Sequence, residues 1–263
     1  MQRHTRMAGA PGSPAVRRDG FAVLPRLIGR AELRELRAEV DRVLAQPLPP
    51  GCRRPHNTLA PLRWDSLLVA RVLAEHGRVR AIAAAAAASD LRWISGYVSV
   101  KDSRSEALEW HQDWWCWDHP VSFRDEAPQV ALLCYLTATT TATAALRVVP
   151  GSHHRWMPAT EAPPDAKTLA LRAGDAVLID YRLLHGTHPN AGDVRRDCLI
   201  LNFAPAWGSL PMDVRAHLIR HPALPGCGEA DVRPRYPRCL LPDFAGEPRD
   251  LPLSRVPPPS FAI

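Results

Sequence analysis

An α+β fold, with helices first and a β-sandwich or barrel after them, follows from three features of the sequence. Apolar residues recur at helical spacing through the first third of the chain. From Leu91 the period changes to two. Beyond that point short apolar runs alternate with Gly, Pro and Asn turn clusters.

Taken in order, residues 1–19 mix Gly, Pro and Arg and read as a flexible lead-in. Gly20-Phe21-Ala22-Val23-Leu24-Pro25 reads as a short strand. Ile28, Leu33, Leu36, Val40, Val43 and Leu44 mark a helix over residues 30–45, which Pro47, Pro49 and Pro50 end. Residues 51–63 read as loop, and 64–88 as a second helical region finishing in the tract Ala83 to Ala88, a run of high helix propensity. Trp93, Ser95, Tyr97 and Ser99 then alternate with Ile94, Gly96, Val98 and Val100, a strand signature. Further strands are expected over 129–136, 146–149, 168–171, 176–180 and 196–203. Turns at Pro150-Gly151-Ser152, Ala173-Gly174-Asp175 and Pro189-Asn190-Ala191-Gly192 separate them. Residues 205–263 are Pro-rich, with one helix expected at 212–219, and read as an irregular extension laid over the barrel. One domain over 20–263 results: a helical part (26–90), a β core (91–204) and the extension (205–263).

Composition excludes several classes. Hydrophobic content of 46% and charged content of 23% suit a soluble globular protein. No apolar run reaches the roughly 18 residues that a membrane-spanning helix needs. Arg3, Arg6, Arg17 and Arg18 precede an apolar stretch, but Pro25 and Arg26 cut it short, so no export signal forms and a cytoplasmic location is expected. The net charge of +6 comes from dispersed arginines, with only Lys101 and Lys167 as lysines, which argues against a nucleic-acid partner. Six cysteines without a C-x-x-C pair read as reduced thiols filling the core. A monomer is expected, with a homodimer as the alternative.

The chemistry concentrates in Trp110-His111-Gln112-Asp113-Trp114-Trp115-Cys116-Trp117. His111 and Asp113, two positions apart, project from one face of an extended chain. One imidazole and one carboxylate form two-thirds of the two-His, one-carboxylate set that holds non-haem Fe(II) with coordination positions left open. His185, on a later strand, is the candidate third ligand. The bland alternative is a surface hydrogen-bonded His–Asp pair. His188 is the nearest rival ligand, but Pro189 and the turn after it place it at the pocket rim. His153 and His154 read as structural turn residues, and His119 as a loop residue. Trp114, Trp115 and Trp117 cannot all face one side of a strand, so some of them would line a pocket. Arg104 and Arg182 read as solvated charges or as contacts to an acidic substrate group. Arg195 and Arg196 point to opposite faces by strand alternation.

These residues resemble the phytanoyl-CoA dioxygenase family of Fe(II)- and 2-oxoglutarate-dependent oxygenases. The matching pieces run in family order over residues 20–204: Gly20 to Pro25 with the helix after it, Tyr97 to Lys101, Trp110 to Asp113, Val148-Val149-Pro150-Gly151-Ser152-His153, and Gly174 to Ile179 followed by Leu184-His185-Gly186-Thr187. The resemblance implies a double-stranded β-helix (jelly-roll, cupin-like) core with the N-terminal helices packed on one sheet. It implies His111, Asp113 and His185 as iron ligands, and Arg196 as the clamp on the distal carboxylate of 2-oxoglutarate. Thr187 would assist that clamp, with Gln112 and Lys101 near the cosubstrate. Trp117, Trp114, Trp115, Arg104 and His188 are assigned to the substrate pocket. Fe(II), 2-oxoglutarate and O2 are the implied cofactors. The implied activity is hydroxylation of a small molecule, preferably a natural-product intermediate, with release of succinate and CO2. Desaturation, cyclisation or epimerisation are alternative outcomes. Halogenation is disfavoured, since Asp113 fills the place that a halide would need. A zinc hydrolase and a non-catalytic binding protein are the competing classes; a dicarboxylate clamp argues against the first. One departure stands out: Ala144-Ala145 occupies the place where the family has Asn-Gly. Alanine resists positive φ, so a different turn is expected there.

Overall fold

The computed structural model describes residues 15–48, 50–158, 163–229 and 233–256. Its elements in chain order are α1 (Ala15–Asp19), β1 (Phe21–Leu24), α2 (Arg30–Leu44), β2 (Asn57–Leu62), α3 (Leu67–Leu73), α4 (His76–Ala85), β3 (Arg92–Lys101) and β4 (Leu108–His111). There follow β5 (Val130–Tyr135), β6 (Leu146–Val148), β7 (Lys167–Leu169), β8 (Ala176–Asp180), β9 (His185–Thr187), β10 (Arg196–Ala204) and α5 (Met212–Leu218). The strands form a six-stranded sheet, β1-β8-β5-β10-β3-β2, and a four-stranded sheet, β4-β9-β6-β7. All the pairings are antiparallel. This is the expected double-stranded β-helix with helices on one sheet.

Period-two alternation decides which side chains face the barrel. In β5, Ala131, Leu133 and Tyr135 point inward and pack with Leu146 and Val148 of the smaller sheet. Val130, Leu132 and Cys134 point outward, into a core shared with Leu36, Val40, Leu68, Val72, Leu73 and Ile82 of the helices. Both faces are buried, so this strand reads as a continuous apolar run rather than an alternating one. In β10, Leu199, Leu201 and Phe203 face the helical layer while Cys198 faces the barrel. Truncating a buried leucine of the helical layer to alanine costs about 2–5 kcal/mol. No helix among the described residues is long and apolar enough to cross a membrane.

The structure departs from the sequence reading at five places. Residues 15–19, read as part of the lead-in, form α1; the rest of that segment, with Pro49 and residues 257–263, lies outside the described residues. The second helical region is two helices. Ser66 Oγ accepts from the Leu68 N–H to start α3, and the Glu75 carboxylate accepts from the Gly77 and Arg78 N–H groups to start α4. The apolar pattern runs through the break, which hides it. The 51–63 loop contains β2, whose Pro61 is tolerated because β2 is an edge strand. Leu108–His111 forms β4, and the chain leaves the strand before Asp113. Finally, Ala144 does adopt the left-handed conformation, with φ 58. Three backbone bonds hold it there: Ala144 N–H to Pro189 O, and Thr143 and Ala145 N–H to Thr140 O. The expectation that alanine forces another turn is corrected; two bonds within the turn and one tertiary bond to Pro189 outweigh a penalty of about 1–2 kcal/mol.

Candidate metal centre

β4 and β9 pair so that His111 lies directly opposite His185. A Cβ on Gly186 would sit 2.7 Å from the Leu108 carbonyl oxygen, so only glycine lets the two strands approach this closely. The imidazole rings are 4.2 Å apart between centroids. In each ring Nδ1 lies on the carbonyl two residues back, His111 on Glu109 O at 2.8 Å and His185 on Leu183 O at 2.9 Å. An Nδ1–H donated to a carbonyl fixes the tautomer and leaves the Nε2 lone pair free, which is the arrangement of a metal-bound histidine.

Both Nε2 atoms turn toward Asp113. His111 Nε2 is 3.6 Å from one carboxylate oxygen, and His185 Nε2 is 3.6 Å from the other. The three ligand atoms all lie within 4.8 Å of one another. Bonds of about 2.1 Å at right angles put neighbouring ligand atoms about 3 Å apart, so a small contraction around an ion closes the set. Burial, reinforced by the neighbouring His111 and opposed by Asp113, pushes the His185 pKa down to about 4. It is neutral at neutral pH, as a ligand must be. The donor set fits Fe(II): two neutral imidazoles, one carboxylate, and an open side where Asp113 and His111 remain partly exposed.

Arg196 lies inside the barrel, with its Cζ 5.9 Å from the Tyr135 ring centroid. Its Nη1 donates to Ser99 O at 3.3 Å and to Ser99 Oγ at 3.2 Å, while its buried Nε has no partner. Among the described residues no carboxylate forms an ion pair with it, although it is only 6% exposed. Neighbouring Arg195 points the other way and is paired to Asp197 and Asp41, so strand alternation separates the two as expected. Lys101 stands opposite Arg196 on β3. Its Nζ donates to Asn57 Oδ1 at 2.9 Å and to Glu106 O at 2.5 Å. Burial, with Arg196 beside it, pushes its pKa down to about 8. Thr187 is buried on β9, its Oγ1 accepting from the Leu108 N–H at 3.2 Å.

Other residues assigned to the site stand elsewhere. The Gln112 amide is occupied by backbone: its Nε2 donates to Arg182 O at 2.5 Å and Arg155 O at 2.9 Å, and its Oε1 accepts from Met157 N–H at 2.9 Å. It staples the metal-binding strand to two loops and has no amide donor to spare for a cosubstrate. Trp114, Trp115 and Trp117 are all buried in one cluster with Val121, Trp207, Val214 and Leu218. This is core between α5 and one end of the barrel, where Ile94 of β3 and Ala204 of β10 join the cluster, and all three rings are buried in it. Arg104 is exposed and paired to Asp193 at 2.6 Å. His188 bonds Thr168 Oγ1 at 2.9 Å on the smaller sheet. Arg182 is neither solvated nor free. It is 1% exposed, forks onto Asp180, and donates to Ser122 O and Arg124 O. His153 is buried with its Nε2 3.0 Å from Arg17 O, and His119 caps a 3-10 turn; both are structural.

Two tyrosines escaped the sequence reading. The Tyr181 hydroxyl is held well above its ordinary pKa by burial, with the charge of Asp113 and the proximity of Tyr97 adding to it. Tyr181 therefore lies near Asp113 and near Tyr97. Tyr97 was legible in principle, since alternation along β3 places it on the same face as Lys101 and Ser99. Tyr181, just past the end of β8, carried no signal.

No curated protein sequence matches this chain. The profile of the phytanoyl-CoA dioxygenase family matches residues 16–198. Among solved structures, EvdO2 from Micromonospora carbonacea var. aurantiaca in complex with 2-oxoglutarate is similar at 23% identity and TM-score 0.56, over 72% of this chain and 87% of that one. HygX from Streptomyces hygroscopicus, with nickel and 2-oxoglutarate bound, is similar at 22% identity and TM-score 0.58, over 72% and 84%. SnoN, a non-haem α-ketoglutarate-dependent epimerase from nogalamycin biosynthesis, is similar at 25% identity and TM-score 0.55, over 72% and 79%. The profile spans most of the chain and takes in all three metal-facing residues and Arg196, so this protein belongs to the phytanoyl-CoA dioxygenase family of iron- and 2-oxoglutarate-dependent oxygenases.

Proposed function

We propose that the protein hydroxylates a small natural-product intermediate at a site formed by His111, Asp113 and His185, consuming 2-oxoglutarate and O2 and releasing succinate and CO2. The observation that carries this reading is the convergence of that triad, with both Nε2 atoms 3.6 Å from Asp113, in a barrel that also buries Arg196, which has no acidic partner among the described residues. When bound, Fe(II) supplies the redox chemistry that couples oxidative decarboxylation of 2-oxoglutarate to oxidation of a C–H bond.

The side chains contribute binding and orientation. His111 and His185 are held in one tautomer by the Glu109 and Leu183 carbonyls, so they enter the site already aimed. Arg196 offers a planar, permanently charged fork to the distal carboxylate of the cosubstrate, and a buried cation with an unpaired N–H gains strongly from that anion. Lys101 opposite it adds positive potential at the same end of the barrel. Thr187 lies on the strand that carries His185 and faces the same interior. Tyr181 lies near Asp113, and an aromatic ring with a polar tip there is suited to ordering a ring-bearing substrate. Natural-product chemistry is favoured by the structural relatives, among which SnoN is an epimerase, SnoK a carbocyclase, and HygX was solved with hygromycin B. That range keeps cyclisation and epimerisation as alternative outcomes after the same hydrogen abstraction.

The test is 2-oxoglutarate turnover. The iron-loaded protein in air should release succinate slowly on its own and faster with a matching member of a panel of aromatic polyketides and aminoglycosides. An iron-loaded protein that leaves 2-oxoglutarate unconsumed under every condition would contradict the reading.

A further inference from the structure

The geometry points to the segment Arg249–Ser254, far outside the stretch matched by the family, as a strap that holds the carboxylate ligand of the metal centre in place. This inference rests on the metal-site reading above. The two histidine ligands are each oriented by a hydrogen bond to a carbonyl. Asp113 has no such support: among the described residues its carboxylate faces the two imidazoles, with Tyr181 nearby, and accepts no hydrogen bond. Its orientation therefore depends on how firmly the chain just after it is fixed.

That chain is fixed from two sides. On the barrel side, Trp114 N–H donates to Tyr181 O at 2.9 Å, Trp114 Nε1 to Ser122 Oγ at 2.7 Å, and Trp115 Nε1 to Gln129 Oε1 at 2.7 Å. On the outer side the strap does the holding. Ser254 N–H donates to Trp115 O at 2.8 Å, and Trp117 N–H donates to Ser254 O at 2.8 Å. The two bonds form a parallel bridge between Ser254 and Cys116. Cys116 and Trp117 are buried, so these backbone groups have no water to turn to if the strap is lost.

The strap is itself pinned to α5, which packs on the same tryptophans. Arg249 N–H donates to Ala216 O at 3.0 Å, Leu251 N–H donates to His217 Nδ1 at 3.1 Å, and Arg220 pairs with Asp250. His217 lies 4.6 Å from the Trp115 ring between centroids, and Leu251 packs on the tryptophan cluster. His119 is tied to α5 through Asp213 at 3.3 Å. Asp113 is followed by a segment sandwiched between barrel and strap, and Ser254 is the residue whose backbone closes the sandwich. Ser254 is a positioning residue, acting on the metal through Trp115 and Asp113.

The experiment is anaerobic isothermal titration of the full chain with Fe(II) in the presence of 2-oxoglutarate, alongside thermal melts of the apoprotein. Ser254→Pro removes the N–H that meets Trp115 O. Ser254→Ala keeps it and serves as the conservative variant. Tyr236→Phe removes a buried hydrogen bond to Trp64 O at 2.9 Å, remote from the strap, and controls for general loosening. Loss of an orienting partner weakens metal affinity on the order of tenfold or more, so Ser254→Pro should bind Fe(II) about tenfold more weakly while Ser254→Ala and Tyr236→Phe bind as wild type. Should Ser254→Pro not fold, His217→Ala, which removes the acceptor for Leu251 N–H, takes its place with a smaller loss in the same direction. Wild-type affinity in the proline variant, or an equal loss in Tyr236→Phe, overturns the strap. Failure of the wild type to bind Fe(II) at all would instead overturn the metal centre.

Discussion

Arg196 and Lys101 are direct cross-strand partners on β10 and β3, two buried cations on the inner face of one barrel. Neither forms an ion pair with a carboxylate among the described residues. Like charges placed opposite one another in a sheet destabilise it, and a buried charge without a counter-ion is costlier still. A protein that keeps both has a reason outside its own fold, and under the proposed function a dicarboxylate cosubstrate would supply the missing charge.

Replacing Arg196 separates charge from geometry. Arg196→Lys keeps the positive charge but loses the two parallel N–H donors, and should raise the Kd for 2-oxoglutarate by about 10-fold or more, in line with about 1.5–3 kcal/mol for a charge-assisted hydrogen bond. Arg196→Ala should raise it further. Isothermal titration of the metal-loaded protein measures both, and equal affinity in the lysine variant would show that the fork is unused.

Lys101 gives the cosubstrate site a pH dependence. Its folded-state pKa is lowered to about 8 from the ordinary lysine value of 10.5. The unfolded chain therefore holds this proton more tightly, and the ammonium penalises the folded state fully below pH 8. The penalty is relieved as pH rises from about 8 to 10.5, where the unfolded state binds more protons. Binding of an anion acts the other way and favours the ammonium. Affinity for 2-oxoglutarate should thus fall severalfold between pH 7 and pH 9, and Lys101→Met should flatten that profile. Titrations at the two pH values decide it.

Gly186→Ala tests the strand approach that brings the histidines together. The added methyl meets backbone, the Leu108 carbonyl oxygen at 2.7 Å, and not a side chain that can swing away. Overpacking of this kind costs about 1–3 kcal/mol, and here it also parts β4 from β9. Metal affinity should fall together with the urea midpoint; a variant that keeps both would show that the sheet has slack.

Ala87 offers the opposite kind of change. It ends α4 in the left-handed conformation, φ 49, on the surface, and Ala88 N–H closes back onto Ala83 O. That is the place where helices prefer glycine. Ala87→Gly should raise stability by about 1 kcal/mol in urea unfolding with catalysis unchanged.

How far the sequence could be read is clear from particular residues. The convergence of His111, Asp113 and His185 was legible because metal chemistry restricts the residue types, and alternation told the inward Arg196 from Arg195. The barrel strands were legible because their period is two. The break between α3 and α4 was not, since Ser66 and Glu75 cap helices inside an unbroken apolar pattern. Ala144 misled because a tertiary hydrogen bond to Pro189, with two bonds inside the turn, overrides its local preference. The tryptophans misled for a related reason. Their burial is decided by Val214 and Leu218 of α5 and by Leu251, roughly a hundred residues or more further along the chain, and no local pattern reports such a partner.

The most direct measurement is an anaerobic titration of the apoprotein with Fe(II) and 2-oxoglutarate, followed by the weak visible charge-transfer absorption of the chelated cosubstrate. The account predicts the band in the wild type, its loss in His185→Ala, and a far higher 2-oxoglutarate requirement in Arg196→Ala. Wild-type protein that takes up iron and shows no band at saturating 2-oxoglutarate would contradict it.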